Sequence, residues 1–246
     1  MGITDLIRLL KPISKQIHIS ELSNQTAAID MMTWLYKGIY SCAFEVGTNS
    51  DDTCQYLNFP IKMISLLTSN KITPIAVFDG RRFKAKSNAE SSRRINKHKN
   101  LELANKSIED GNDELAKKYF KQSLRITTKM INTLIDLLKK LKIRVIIAPY
   151  EADAQLAHLY TSGVADFVIS EDSDLLLFGA QKIYYKLNQD GVGEFYDYKN
   201  FKNTPIEAIK DNYCKIIRKL KHESFVEVCV LSGCDYNDGV RNFGFI

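Results

Sequence analysis

Short apolar runs alternate along this chain with stretches whose apolar residues recur at helical spacing. The short runs predict strands at TAAID (26–30), ITPIAVFDG (72–80), IRVIIAP (143–149) and ADFVIS (165–170), with shorter ones at QKIYYKL and EFYDY flanking Gly191 and Gly193. TTKMINTLIDLLKKLK (127–142) predicts an amphipathic helix, because Met130, Ile131, Leu134, Leu137, Leu138 and Leu141 recur on one face. Helices are also expected at 3–10, ended near Pro12, at 31–46, and at 54–70 with Pro60 near its start. Further helices are expected over the polar stretch 81–100, at 112–122 after Asp110-Gly111, at 151–163 with Gly163 as its cap, and at 205–220 and 223–232. GCDYNDGVRNFG reads as loop. Strands alternating with helices predict an α/β fold: a mostly parallel, twisted central sheet flanked by helices. No repeat or low-complexity linker interrupts the chain, so residues 1–246 are expected to form a single domain.

Composition narrows the class. The chain has 246 residues, 45% hydrophobic and 26% charged, which suits one large soluble domain, or a main domain with a small appendage, and excludes wholesale disorder. The longest apolar runs reach about half a membrane span, so no transmembrane helix is expected. MGITDLIRLLKP carries Asp5 and no long apolar stretch, unlike a signal peptide. Gly2 hints at myristoylation, but Leu6 stands where that motif wants Ser or Thr. Five scattered cysteines form no CxxC pair and read as reduced thiols, and the four histidines lie too far apart for a zinc site.

Charge is unevenly placed. The net charge is +5, yet residues 81–100 alone hold eight Lys/Arg against one Glu, which leaves the rest of the chain at −2. On a helix Lys86, Arg93 and Lys97 fall within roughly 20° of one line, with Arg94 at its edge. Such a one-sided ridge suits a polyanion, against the plainer reading of a solvated helix face.

Acids follow the predicted strands. The runs end at Asp30, at Asp79, at Glu151 and Asp153 beyond Pro149, and at Asp172 and Asp174, and GCD adds Asp235. Singly, each reads as a turn former or helix cap. Together they place up to seven carboxylates at the carboxyl ends of a parallel sheet, where ligands of such folds bind. Like charges that close repel unless something positive sits among them. Hard oxygen donors without His or Cys select magnesium or manganese, and paired ions can clamp a phosphodiester undergoing hydrolysis. Asp172 and Asp174 are expected to point the same way on an extended chain. Glu151 and Asp153, about 200° apart on a helix, can converge only in its first turn or the loop before it.

MGI at the start, AID (28–30), VFDG (77–80), APYEADAQLA (148–157), SEDSDLLLFG (170–179) and LSGCDY (231–236) resemble the flap endonuclease/Rad2-type structure-specific 5′ nucleases, and within them the exonuclease 1 branch. The resemblance covers residues 1–246. It implies the PIN-like 5′ nuclease fold, with a helical arch over about 81–122 and an internal nuclease region over about 127–246. It implies a magnesium-dependent 5′→3′ exonuclease with 5′-flap endonuclease activity, manganese being able to substitute. Its implied substrate is double-stranded DNA with a nick, gap, recessed 5′ end or 5′ flap, its implied setting is DNA repair in the nucleus, and its implied form is a monomer with no membrane. Asp30, Asp79, Glu151 and Asp153 would serve one metal, and Asp172, Asp174 and Asp235 a second, with Asp153 between them. Lys86 and Arg93 match the basic pair of the arch and the amino group of Gly2 would lie near the site, while Arg94 and Lys97 continue the ridge toward DNA.

The sequence also departs from the family. Where a glycine-rich turn opens a duplex-holding helix–turn–helix with a potassium ion, the chain reads GVRNFGFI, with Asn242 for a glycine, and the clamp is cut at its start. Two rings that stack on end nucleotides are here Met32 and Tyr36, and only Tyr36 keeps a ring. Two rival readings compete with the nuclease. A non-catalytic DNA-binding relative would be expected to lose some of the seven acids, and an aspartyl-nucleophile phosphatase leaves Asp30 and Asp79 without a role.

Overall fold

The structure is a computed structural model that describes residues 6, 11, 14–48, 54–81, 87–208, 212–237, 239 and 240, with side chains for all of these except 87–93, 208 and 213. The expectations at Gly2, at Lys86, at 241–246 and at 3–10 apart from Leu6 lie outside the described residues. Its strands are β1 (Ser14–His18), β2 (Thr26–Asp30), β3 (Thr73–Phe78), β4 (Arg144–Ile147), β5 (Phe167–Ile169), β6 (Lys182–Tyr185) and β7 (Val192–Asp197). Its helices are α1 (Met31–Ser41), α2 (Ala43–Gly47), α3 (Asn58–Ser69), α4 (Ser87–Glu109), α5 (Asp113–Ser123), α6 (Thr128–Lys140), α7 (Ala152–Thr161), α8 (Tyr198–Asn203), α9 (Asn212–Lys219) and α10 (His222–Leu231). Contacts divide the chain into two compact units: Met1–Asp30, Leu66–Arg82 and Ile146–Ile246 form the first, and Met31–Ser65 with Phe83–Val145 the second.

The first unit is built on a sheet in the order β1-β7-β6-β5-β2-β3-β4, with β4 starting in the second unit. β2 pairs in parallel with β3 and β5, and β5 in parallel with β6, whereas β7 runs antiparallel to both β6 and β1. Alternate residues of a strand face one side. Ile75 and Val77 of β3, Ile183 and Tyr185 of β6 and Val168 of β5 thus share one core with Leu156 of α7 and Phe225 of α10. The register sets Asp30 opposite Val77 and Ile29 opposite Ile169, so three parallel strands finish level and the loops leaving them emerge at one edge.

In the second unit α4 and α5 are joined by a tight turn at Asp110–Asn112 and bury Ala104, Ala116 and Phe120. The amphipathic α6 buries Met130, Leu134 and Leu138 as its spacing predicts. Thr127 caps it by accepting the Met130 N–H at 3.2 Å.

Four elements differ from the sequence expectation. The helix expected over 31–46 breaks at Cys42 into α1 and α2. β1 has the polar sequence SKQIH and no apolar run, yet it extends the sheet by pairing with β7. α8 follows β7 at once because the Asp197 carboxylate accepts the Asn200 N–H at 3.0 Å and caps it. The helix expected over 205–220 is a short 3-10 turn at Ile206–Ala208 followed by α9. The Lys202 ammonium closes the end of α9 by donating to the carbonyls of Ile217, Arg218 and Leu220.

Candidate active site

All seven acids singled out in the sequence belong to the first unit. Asp30 closes β2 and is buried at 8% exposure. Its carboxylate accepts the Ser170 hydroxyl at 3.5 Å, and the same hydroxyl accepts the Asp172 N–H at 3.1 Å. Ser170 therefore ties the end of β2 to the loop after β5. Asp79 stands one residue past β3, where its Oδ1 accepts the Ala152 N–H at 2.8 Å. A carboxylate there meets the free N–H groups of a helix start, a favourable place for negative charge.

Gly80 makes this junction possible. Its N–H donates to the Tyr150 carbonyl, and the neighbouring Arg81 N–H donates to the Pro149 carbonyl at 3.2 Å. A Cβ on Gly80 would lie 1.8 Å from the Ala148 carbonyl oxygen. No larger residue lets the strand β3 exit run so close to the segment entering α7. Glu151 is the N-cap residue of α7 and Asp153 lies in its first turn, as the spacing argument requires.

Asp172 and Asp174 follow a different route from the extended chain expected. Asp172 is the N-cap of a 3-10 turn, Ser173–Leu176, and its Oδ1 accepts the Asp174 N–H at 3.1 Å. The backbone curls because a side-chain oxygen two residues back satisfies an N–H that an extended strand would leave open. Asp174 is buried at 6% exposure, and the Ser173 hydroxyl is buried with no hydrogen-bond partner among the described residues. Beneath the turn the Tyr185 hydroxyl donates to the Asp172 carbonyl at 3.2 Å. Burial, then Tyr196, Asp172, Asp174 and Asp153, hold that phenol well above its ordinary pKa, so it remains a donor.

Asp235 sits in a turn after α10 closed by paired backbone hydrogen bonds between Cys234 and Asn237. The next residue, Tyr236, donates its hydroxyl to Oε2 of Glu151. This contact joins the Asp235 turn to the α7 start, and sequence reasoning missed it. Tyr236 was visible only as the last letter of LSGCDY.

The donors offered are oxygens throughout. Cys229 lies near Asp174, but burial first, then Asp174 and Cys234, push its thiol up to about 12, so it offers no thiolate at neutral pH. Such a set fits a hard divalent cation. Among the described residues no three acidic, His or Cys side chains stand in ligating geometry. Several of the carboxylates are instead turned to protein donors: the Ala152 and Asp174 N–H groups and the Ser170 and Tyr236 hydroxyls.

Of the expected DNA-facing residues, Tyr36, Arg94 and Lys97 lie in the second unit. The exposed Tyr36 ring has the Lys97 ammonium 5.8 Å from its centroid. Arg94 is exposed on α4, where the ridge was expected. Arg93 is helical, with its side chain outside the described residues.

The chain matches the family described as XPG N-terminal domain over residues 1–100 and that described as XPG I-region over 142–235. It belongs to the XPG/Rad2-type family. Exonuclease 1 of Danio rerio is 36% identical over 245 residues, covering 99% of this chain and 29% of that protein. Exodeoxyribonuclease 1 of Schizosaccharomyces pombe is 36% identical over 244 residues, covering 99% of this chain and 41% of that protein. DNA damage-inducible protein DIN7 of Saccharomyces cerevisiae is 37% identical across the whole chain, which spans 55% of it. The chain thus spans between about three tenths and just over half of the length of these relatives. Among solved structures, the catalytic core of Rad2 in complex with DNA substrate superposes with a TM-score of 0.69 at 25% identity, covering 99% of this chain and 66% of that one. Flap endonuclease-1 from Methanococcus jannaschii does so with a TM-score of 0.64 at 25% identity, covering 99% and 74%. The family fold is the α/β 5′ nuclease fold expected from the sequence. Among the described residues no helix is long and apolar enough to cross a membrane.

Proposed function

We propose that residues 1–246 act as one nuclease domain: a metal-dependent 5′→3′ double-strand DNA exonuclease that also cleaves 5′ flaps. The observation that carries this reading is that five acid-bearing segments are tied together in two groups: Asp30 to the Asp172 loop through Ser170, and Asp79 to α7, whose Glu151 is joined to the Asp235 turn through Tyr236. Asp30, Asp79, Glu151 and Asp153 would hold one magnesium ion and Asp172, Asp174 and Asp235 a second, with Asp153 between. Bound there, such ions would polarise the scissile phosphate and lower the pKa of an attacking water.

The chain's own residues supply the rest. The buried Asp30 and Asp174 sit in low dielectric, where their charge acts strongly on whatever cation enters. Lys86 and Arg93 would reach the phosphate and balance charge that grows in the transition state. Tyr36 would stack on a nucleotide near the cleaved end, and the Gly2 amino group would lie close by. Substrates would be duplexes with a nick, gap, recessed 5′ end or 5′ flap, the setting DNA repair in the nucleus and the form a monomer. A potassium ion would belong to the helix–turn–helix whose opening the resemblance assigns to the GVRNFGFI segment.

The test uses a 5′-flap and a recessed-end duplex with magnesium, with EDTA, and with Asp174→Ala. Cleavage is expected with magnesium alone. The Asp174→Ala protein should be inactive, with an unchanged or higher Tm in the absence of metal, since it loses a buried like-charged neighbour. Cleavage by that variant within about tenfold of the parent would overturn the assignment.

A further inference from the structure

Helix α1 has two faces with different work. Trp34, Leu35, Gly38 and Ile39 are buried, and a Cβ on Gly38 would lie 2.0 Å from the Tyr56 carbonyl oxygen, so this face is pressed against its neighbours in the second unit. The other face presents Tyr36 and Tyr40, 38% and 46% exposed. Four residues apart, they stand one above the other at a rise of about 6 Å.

Each ring is met by a lysine from another helix of the same unit. Lys97 of α4 places its ammonium 5.8 Å from the Tyr36 centroid, and Lys121 of α5 places its own 5.1 Å from the Tyr40 centroid. The next ring of the series shows a closed version of the arrangement. Phe44 packs edge-on against Phe120, and the Lys117 above it is held by Glu114 at 2.9 Å. Among the described residues Lys121 forms no ion pair of that kind.

A cation over a ring can be a weak staple between helices at an exposed site. Staple duty does not require rings left this open. Repeated exposed rings, each with a cation at hand, match a strand of nucleotides: one π-face and one negative phosphate per step. Paired bases keep their faces covered in a duplex, so the match is to unpaired DNA. We propose that Tyr36–Lys97 and Tyr40–Lys121 form a two-rung track for the unpaired 5′ stretch of the substrate, with Tyr40 and Lys121 taking the nucleotide after the one on Tyr36. The choice of strand rests on the nuclease reading.

The test is equilibrium binding of labelled oligo(dT) to the full chain in EDTA, followed by anisotropy across a salt series. The variants are Tyr40→Ala, Tyr40→Phe, Lys121→Gln and, as a control on the same helix, Lys118→Gln, each checked by thermal melting. Tyr40→Ala should weaken binding about tenfold and Tyr40→Phe by less than about twofold, because the phenyl ring still stacks. Lys121→Gln should reduce the salt slope by about 0.7, the value of one phosphate contact on a single strand, and Lys118→Gln should leave it unchanged. Affinity of Tyr40→Ala within about twofold of the parent, or an unchanged slope for Lys121→Gln, makes the pairs staples and ends the proposal. Should Tyr40→Ala melt early, the Lys121→Gln slope alone decides. Parallel cleavage of the recessed-end duplex with magnesium separates the two claims. A parent that binds oligo(dT) through the track yet cuts nothing refutes the nuclease. A parent that cuts while Tyr40→Ala binds normally refutes the track.

Discussion

Replacing Tyr236 by Phe removes one oxygen and leaves the ring. In the structure that oxygen donates to the Glu151 carboxylate, which the nuclease reading assigns to a metal. A hydrogen bond to a charged group contributes about 1.5–3 kcal/mol when water is excluded. Tyr236 is 36% exposed, so water can take the place of its hydroxyl and the net loss falls to about 1 kcal/mol. With tenfold in affinity per 1.4 kcal/mol, the expected weakening is about fivefold. That lies below the 10–100-fold range typical for partners that orient metal ligands, as the exposure requires. Titration calorimetry of the DNA-free chain with manganese reads the affinity directly, and single-turnover cleavage at rising metal concentration gives a second measure. The Phe variant should need about five times more metal and regain the parent rate at saturation, with its Tm unchanged. Equal affinity in the two proteins would refute the orienting role, and so would a rate deficit that saturating metal fails to restore.

Gly80→Ala should cost about 1–3 kcal/mol and depress cleavage, because the new methyl meets the Ala148 carbonyl oxygen and displaces Asp79 from the α7 start; a melting curve and rate equal to the parent's would contradict this. Lys86→Ala and Arg93→Ala should lower the single-turnover rate by more than they weaken DNA binding measured in calcium, and variants that lose affinity alone would reduce the ridge to a plain electrostatic patch. Alkaline stability should reflect Cys229, whose thiol ionises near 9.0 when unfolded but at about 12 in the fold. Its contribution is intact below pH 9 and is lost as pH rises toward 12, so Cys229→Ser should flatten the fall of Tm in that window, and an unaltered slope would count against it.

The order of elements was legible because apolar runs and helical spacing are local signals. Ile75 and Val77, or Met130 and Leu134, announce their buried faces without tertiary help. β1 was illegible for the opposite reason: SKQIH becomes a strand only because β7, far along the chain, offers it hydrogen bonds. The acids were legible as a set from their place after strands, but their local geometry was not. Asp172 caps its own turn through the Asp174 N–H, an alternative that short polar side chains offer the backbone and that alternation along a strand cannot foresee. Tyr236 escaped notice because a tyrosine gains its meaning from a carboxylate 85 residues away.

The span of those contacts sets when the acid-bearing segments can come together. The Ser170–Asp30 bond closes 140 residues of chain, the Ala152–Asp79 bond 73 and the Tyr236–Glu151 bond 85. Contacts so distant along the chain form late in folding, since each must first repay the entropy of closing its loop. A nascent chain still inside the ribosome beyond Ile169 lacks the Ser170 hydroxyl that ties Asp30 to the Asp172 loop, and one halted before Cys234 lacks the turn that reaches Glu151. Partly synthesised or partly folded forms therefore carry the acids without the constellation. On the nuclease reading, a long-range topology of this kind would delay the competence to cut until synthesis has passed Asp235 and Tyr236.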